Sequence, residues 1–281
     1  MVKIVFSVIG LLACLFIRTK EGSAYLLDPD CAVSRIRGKI MGGRDTDILS
    51  NPWMVLVIAP TLETGVKFCG GSLITYRFVL TAAHCIKDGP MKVRLGEYDN
   101  QYHMKDCSSG ICIPRYFIVD VDRKMTHKEY NGHKNDIGIL RMSEIIPYSD
   151  FVRPICILID EEMGNVPLFS VTGWGGTRTS DSSKVLQVAT LENFDRNQCA
   201  ESLQSEFDVG HICAGSYTSD SCNGDSGGPL SAVRTYEGHN RTFQYGIVSF
   251  GLHSCGGLGV YTNVTHFTGF ILRVLEYLRN T

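Results

Sequence analysis

Gly224-Asp225-Ser226-Gly227-Gly228-Pro229 sets a serine in a glycine-rich turn. By itself such a turn need be nothing more. Two upstream stretches change the reading: Thr81-Ala82-Ala83-His84-Cys85 and Asn135-Asp136-Ile137-Gly138-Ile139-Leu140. A lone histidine before a cysteine is ordinarily structural, and an aspartate ahead of an apolar run can be a turn residue. Together the three stretches give histidine, aspartate and serine, the residue types that activate a hydroxyl nucleophile. A serine hydroxyl attacks poorly at neutral pH unless an imidazole takes its proton, and a carboxylate can hold that ring and stabilise its cation. The glycines allow close backbone approach, which would aim the N–H groups of Gly224 and Ser226 at a developing oxyanion.

Around this core run short apolar stretches separated by Gly, Asn, Asp and Pro: Met54–Ile58, Phe78–Leu80, Tyr116–Val121, Ile137–Met142, Val185–Leu191, Thr242–Phe250 and Gly259–Val264. Many short strands with turn residues between them predict an all-β barrel or sandwich. Only the C-terminal stretch reads clearly as helix, with Phe267, Phe270, Ile271, Val274, Leu275 and Leu278 recurring on one face. That face is expected to pack on the body. The 281 residues are 44% hydrophobic and 20% charged, ordinary for a globular chain. A formal net charge of −2 gives no reason to expect a nucleic-acid partner.

The first residues differ. Lys3, the apolar run from Ile4 to Ile17 and the small residues Gly22-Ser23-Ala24 read as a secretory signal over 1–24, cut near Ala24. The run is shorter than the roughly 20 residues of a membrane span. Secretion fits the cysteines: of 11, Cys14 lies in the leader, and an even set remains for a disulfide framework. Spacing alone leaves their pairing open, and no group of them has zinc-site spacing. Asn240-Arg241-Thr242 and Asn263-Val264-Thr265 are glycosylation sequons.

With Phe68-Cys69-Gly70-Gly71-Ser72-Leu73, Val171-Thr172-Gly173-Trp174-Gly175 and Gly259-Val260-Tyr261 added, the chain from Ile40 onward resembles the chymotrypsin family of trypsin-like serine proteases. Within that family it resembles the catalytic domains of arthropod haemolymph proteases. His84, Asp136 and Ser226 follow the family's chain order. The resemblance implies two six-stranded antiparallel β-barrels with a C-terminal α-helix. It implies a pro-segment over 25–39 and a protease domain over 40–281, with no clip domain ahead of Cys31. Asp220 would floor the primary pocket and Ser221 would assist it, favouring Lys or Arg before the scissile bond. Gly251 and Gly259 would be its small wall residues. Ser249 would hydrogen-bond Asp136. Cleavage of Lys39-Ile40 would free an amino group to pair with Asp225 and order the oxyanion loop.

The same resemblance implies disulfides Cys69–Cys85, Cys199–Cys213, Cys222–Cys255 and Cys31–Cys156, the last tethering the pro-segment. Cys107 and Cys112 remain, in an inserted loop, and would pair locally. There are departures. Met41 stands for the usual valine. Phe169 and Ala232 stand where a further disulfide would be. Phe250 replaces a tryptophan beside the pocket, and Cys255-Gly256-Gly257-Leu258-Gly259 is shorter than in trypsin. No cofactor is implied; the one ion raised is calcium, at Glu97 and Asp99, although the acidic second half of trypsin's calcium loop does not align. Implied partners are protein substrates, an upstream activating protease and serpin-type inhibitors of a monomer, in an extracellular cascade or immune role. A digestive protease is the alternative. A dead homologue acting as a binding protein is disfavoured by the survival of His84, Asp136, Ser226, Asp225 and Lys39.

Overall fold

Strands rich in Val, Ile and Leu that alternate inward and outward must close on themselves to bury one face and leave no raw edge. Two such closures form here. A computed structural model describes residues 24–32, 44–61, 65–101, 104–162, 164–176, 182–216, 226–251 and 257–281. In chain order the strands are β1 (Tyr25–Leu26), β2 (Arg44–Asp45), β3 (Met54–Thr61), β4 (Gly65–Thr75), β5 (Phe78–Thr81), β6 (Lys92–Leu95), β7 (Asp106–Ser108), β8 (Ile111–Ile113) and β9 (Phe117–Thr126). They continue as β10 (Gly138–Met142), β11 (Leu158–Ile159), β12 (Leu168–Gly173), β13 (Gln187–Phe194), β14 (His211–Ser216), β15 (Pro229–Tyr236), β16 (His239–Gly251) and β17 (Gly257–Asn263).

The first barrel closes in the order β10-β5-β4-β3-β6-β9, all antiparallel. Val55, Val57, Leu73, Val79, Val93 and Ile139 fill it and are wholly buried. The second runs β12-β15-β16-β17-β14-β13, with β12–β13 pairing closing the ring and β2 added along β13. The barrels meet through Ser72 Oγ, which donates to Gln244 Oε1 at 2.6 Å, and through Tyr98, whose carbonyl accepts from Trp174 Nε1 at 3.0 Å. The two-barrel architecture expected from the sequence is the one observed.

The C-terminal helix α2 (Thr268–Arg279) buries Phe270, Ile271, Val274, Leu275 and Leu278 within the first barrel's core cluster. A second helix, α1 (Arg196–Leu203), was not legible as helix from apolar periodicity, because only Cys199 on it is buried. Its signal lies in its start: Asp195 accepts from the backbone and Gln198 bonds back, a reciprocal capping box. Several predicted strands are longer than their apolar runs; β16 starts at His239 and β9 ends at Thr126. Hairpin pairing, not apolar content, sets those ends.

Residues 24–32 lie against the second barrel. β1 pairs with β11, Tyr25 opposite Ile159 and Leu26 opposite Leu158. Asp28, buried, accepts from Tyr148 Oη at 2.5 Å. Cys31 is bonded to Cys156. Residues 1–23 of the 1–24 leader and the Lys39–Ile40 junction lie outside the described residues.

Candidate active site

His84 is the middle residue of a single 3-10 turn, Ala83–Cys85, just after β5. The Cys69–Cys85 disulfide ties that turn to β4. Asp136 precedes β10, the neighbour of β5, so barrel closure brings the two together. Asp136 Oδ2 lies 2.7 Å from His84 Nδ1, and Asp136 Oδ1 accepts the main-chain N–H of His84 at 2.9 Å. Because the carboxylate offers only acceptors here, Nδ1 carries the proton and Nε2 is left to accept one.

The second barrel completes the array. Ser249 Oγ donates to Asp136 Oδ2 at 2.5 Å, and Thr262 Oγ1 donates to the Asp136 carbonyl at 2.9 Å. Asp136 is only 1% exposed. Burial alone would raise its pKa, but the hydrogen bonds from His84 and Ser249 and the His84 charge outweigh it, holding the carboxyl below its ordinary value. Ser249 is thus engaged with the aspartate, the contact that the family resemblance implied.

Ser226 opens the segment leading into β15. Its carbonyl accepts from Gly70 N at 2.8 Å, and Gly227 N donates to Val248 O at 2.8 Å, so β4 flanks the serine on one side and β16 on the other. Gly227 has φ +83°, and a Cβ there would lie 2.3 Å from Thr81 Oγ1 and 2.5 Å from Gly70 O. Only glycine fits. The Ser226 carbonyl also lies 3.5 Å from Cys85 Sγ, so the serine's backbone sits against the turn that carries His84.

Beyond Ser249, Gly251 faces Gly259 across β16–β17, and a Cβ on Gly251 would sit 3.3 Å from the Gly259 Cα. With glycine on both strands, no side chain projects from either backbone at this pair. Phe250, the residue after Ser249, meets His133 edge-on at 5.1 Å and Phe207 at 6.0 Å between ring centres, an aromatic cluster that includes two residues the sequence did not single out. Asp220, Ser221, Gly224 and Asp225 lie outside the described residues, as does the Cys222–Cys255 pairing.

This geometry, a buried carboxylate holding a histidine beside a clamped serine at the junction of two six-stranded barrels, is matched by comparison with known proteins. The family model described as Trypsin matches residues 40–271. The chain belongs to the trypsin family. Among relatives of this trypsin-family chain, the "Phenoloxidase-activating enzyme" of Bombyx mori is 35% identical over 272 residues, covering 85% of this chain and 61% of the relative. The "Spaetzle-processing enzyme" of Drosophila melanogaster is 34% identical over 267 residues, covering 85% of this chain and 66% of that protein. The chain therefore spans about three fifths to two thirds of these relatives' lengths. The crystal structure of the Drosophila Grass clip serine protease of the Toll pathway superposes with a TM-score of 0.75 at 29% identity, over 87% of this chain and 75% of the other. The arthropod haemolymph proteases named from the sequence are the relatives found.

Other sequence expectations meet particular surroundings in this trypsin-family domain. Disulfides join Cys31 to Cys156, Cys69 to Cys85, Cys107 to Cys112 and Cys199 to Cys213. Phe169, almost fully buried, and Ala232 pack in one apolar cluster, so the position without a disulfide is filled by an aromatic ring. Of the two sequon asparagines, Asn263 is 8% exposed, and its Nδ2, the atom a glycan would need, donates to Val209 O at 2.8 Å. Asn240 is exposed on the β15–β16 hairpin.

Glu97 has a buried Oε1 with no hydrogen-bond partner. Burial, then the nearby charge of Asp106, pushes its pKa up to about 7, against the pull of Arg94. Asp99, named beside it from sequence, instead accepts from Gln101 N. The second carboxylate near Glu97 is Asp106, just before the Cys107–Cys112 hairpin. Asp106 Oδ2 accepts the main-chain N–H groups of Tyr98 and Asp99 at 3.1 and 3.0 Å, and Glu97 Oε2 pairs with Arg94, so Glu97 Oε1 is the carboxylate oxygen left for a hard, oxygen-seeking cation. Cys69, His84 and Cys85 also cluster, but the two sulfurs are bonded to each other. Among the described residues no helix is long and apolar enough to cross a membrane.

Proposed function

We propose that this chain is a secreted zymogen that, once cut between Lys39 and Ile40, hydrolyses peptide bonds after Lys or Arg. The observation that carries the reading is the His84–Asp136–Ser249 array beside Ser226. Ser226 Oγ attacks the scissile carbonyl carbon while its proton passes to His84 Nε2. The carbonyl oxygen takes the negative charge and is met by the N–H groups of Gly224 and Ser226. His84 then gives its proton to the leaving nitrogen as the C–N bond breaks, leaving an ester on Ser226. Water attacks that ester by the same proton route, releasing the acid and restoring the serine. Asp136 stays ionised throughout and stabilises the imidazolium.

Asp220 at the pocket floor, with Gly251 and Gly259 leaving room for a long side chain, gives the preference for Lys and Arg. The new amino group of Ile40 pairs with Asp225, and a buried carboxylate without that partner is costly, so the pocket forms only after cleavage. The signal occupies 1–24 and the pro-segment 25–39. Secretion is supported by the leader and the disulfides, and a glycan belongs on Asn240. Calcium held by Glu97 and Asp106 would brace the inserted loop and supply charge neutralisation there, with no part in the chemistry. Relatives named for activating phenoloxidase and processing Spaetzle support a place in an extracellular cascade. The partners are then protein substrates, an upstream protease and serpin-type inhibitors of a monomer.

The test is direct. Recombinant zymogen should be silent on an Arg anilide, and an activated sample should begin at Ile40 by N-terminal sequencing. The Ser226→Ala variant should keep less than about a thousandth of wild-type turnover. Residual activity well above that level would remove Ser226 from its role.

A further inference from the structure

Ser226 is flanked by two strands, β16 through Gly227 N–Val248 O and β4 through Gly70 N–Ser226 O. On the proposed reading of the pocket, the side chain before the scissile bond enters on the β16–β17 side, between Gly251 and Gly259. The chain after the scissile bond must then leave over β4 and the Cys69–Cys85 bridge. Two lysines stand at that exit.

Lys67 lies in β4 just ahead of Cys69, and Lys87 lies just beyond Cys85. The bridge, with its Cα atoms 6.1 Å apart, holds the two segments together. Both lysines are half-buried. Among the described residues neither makes an ion pair. Asp88, the adjacent acid, is exposed and pairs with neither. Lys124 Nζ donates to the carbonyls of Lys87 and Gly89 at 2.7 and 2.8 Å, fixing that loop and adding a third positive charge. The lysine at 67 is held below its ordinary pKa, first by burial and then by the charge of Lys87, with Asp136 pulling the other way. The two ammonium groups therefore feel each other, and the one at 67 feels the active site. At roughly 3.3 Å per residue, Lys67 is about 10 Å up the strand from Gly70, the reach of the first two or three residues of a departing chain.

We propose that Lys67 and Lys87 form a cationic rim on the leaving-group side of Ser226 that selects peptides with an acidic residue in the first three positions after the scissile bond. Like charges held together without a counter-ion are relieved by an incoming carboxylate, while a basic residue there meets repulsion. The inference rests on the proposed cleavage reading, and the experiment separates the two.

Quenched-fluorescence peptides would share one Arg before the scissile bond and carry Glu, Ala or Lys at the second position after it. Activated wild-type enzyme, quantified by active-site titration, should show kcat/KM about tenfold higher for Glu than for Lys, the size expected of rim charges. The ratio should shrink as salt is raised. The Lys67→Ala/Lys87→Ala variant should bring it near one, and Lys67→Glu/Lys87→Glu should reverse it. If the double variant is poorly secreted, the single Lys87→Ala change and the salt dependence of the wild type carry the test. A ratio near one in wild type, or one that survives in the double variant, would overturn the rim. An Arg anilide, with no residue after the scissile bond, serves as control: failure of wild type to hydrolyse it would overturn the cleavage reading itself.

Discussion

Ser249 Oγ donates to Asp136 Oδ2 at 2.5 Å, joining one residue of the second barrel to one of the first across 113 positions of sequence. This bond helps keep Asp136 ionised in a site where burial opposes charge. Ser249→Ala should lower kcat by about ten- to a hundredfold, the usual worth of a hydrogen bond to a charged group, with little change in KM. A depressed folded-state pKa means that the stability from Asp136 is present above its unfolded value near 4 and is lost as pH falls through the folded value. The alanine variant should accordingly begin acid unfolding at higher pH than wild type, which circular dichroism across pH 2–5 would detect. Coincident acid transitions would argue that the bond does not hold the carboxylate.

Gly227→Ala should destabilise the zymogen by about 3 kcal/mol or more, because the new methyl meets the Gly70 carbonyl and a positive φ must be kept. Urea denaturation would measure it. Adding Thr81→Ala should recover only part of the loss, since the backbone oxygen remains. Full recovery in the double variant would place the strain on the threonine alone.

Asp220→Ser should lower kcat/KM for Arg and Lys anilides by orders of magnitude and barely alter the slow hydrolysis of Phe and Ala counterparts. Lys39→Gln should leave the zymogen uncut by a trypsin-like activator and silent. A wild-type preference for Phe over Arg would remove Asp220 from the pocket floor.

Calcium should raise the melting temperature of the wild-type protein at pH 8, and Glu97→Gln should abolish the rise. A folded pKa raised to about 7 means that the ionised Glu97 costs stability above that pH and nothing below its unfolded value. In chelator, then, Glu97→Gln should melt higher than wild type at pH 8, with the gap narrowing toward pH 5. An identical calcium response in both proteins would sink the proposed site.

The pro-segment is held by more than its disulfide. Its β1–β11 pairing, the Asp28–Tyr148 bond and the packing of Leu26 should keep residues 25–39 on the activated enzyme when Cys31 and Cys156 are both replaced by Ser. Size-exclusion chromatography followed by mass spectrometry would report the peptide. Adding Tyr148→Phe should speed its loss; immediate dissociation from the Cys31→Ser/Cys156→Ser protein would assign the tether to the disulfide alone.

The sequence by itself determined the residue types: a serine in a glycine-rich turn, a histidine and an aspartate in order, the cysteines, and the apolar face of α2. Each is a short-range pattern, carried by neighbours along the chain. The tertiary structure decided what those residues touch. It put Ser249 and Thr262 on Asp136 and brought Asp106, rather than Asp99, toward Glu97. It buried the amide of Asn263 while leaving Asn240 exposed, and it set Lys67 beside Lys87 across a disulfide. It also packed residues 24–32 against the second barrel, where the sequence offered only a cysteine. The reason is physical: β-barrels are built from pairings between distant segments, so contact partners, burial and the electrostatics that follow from them come into being only when the strands close.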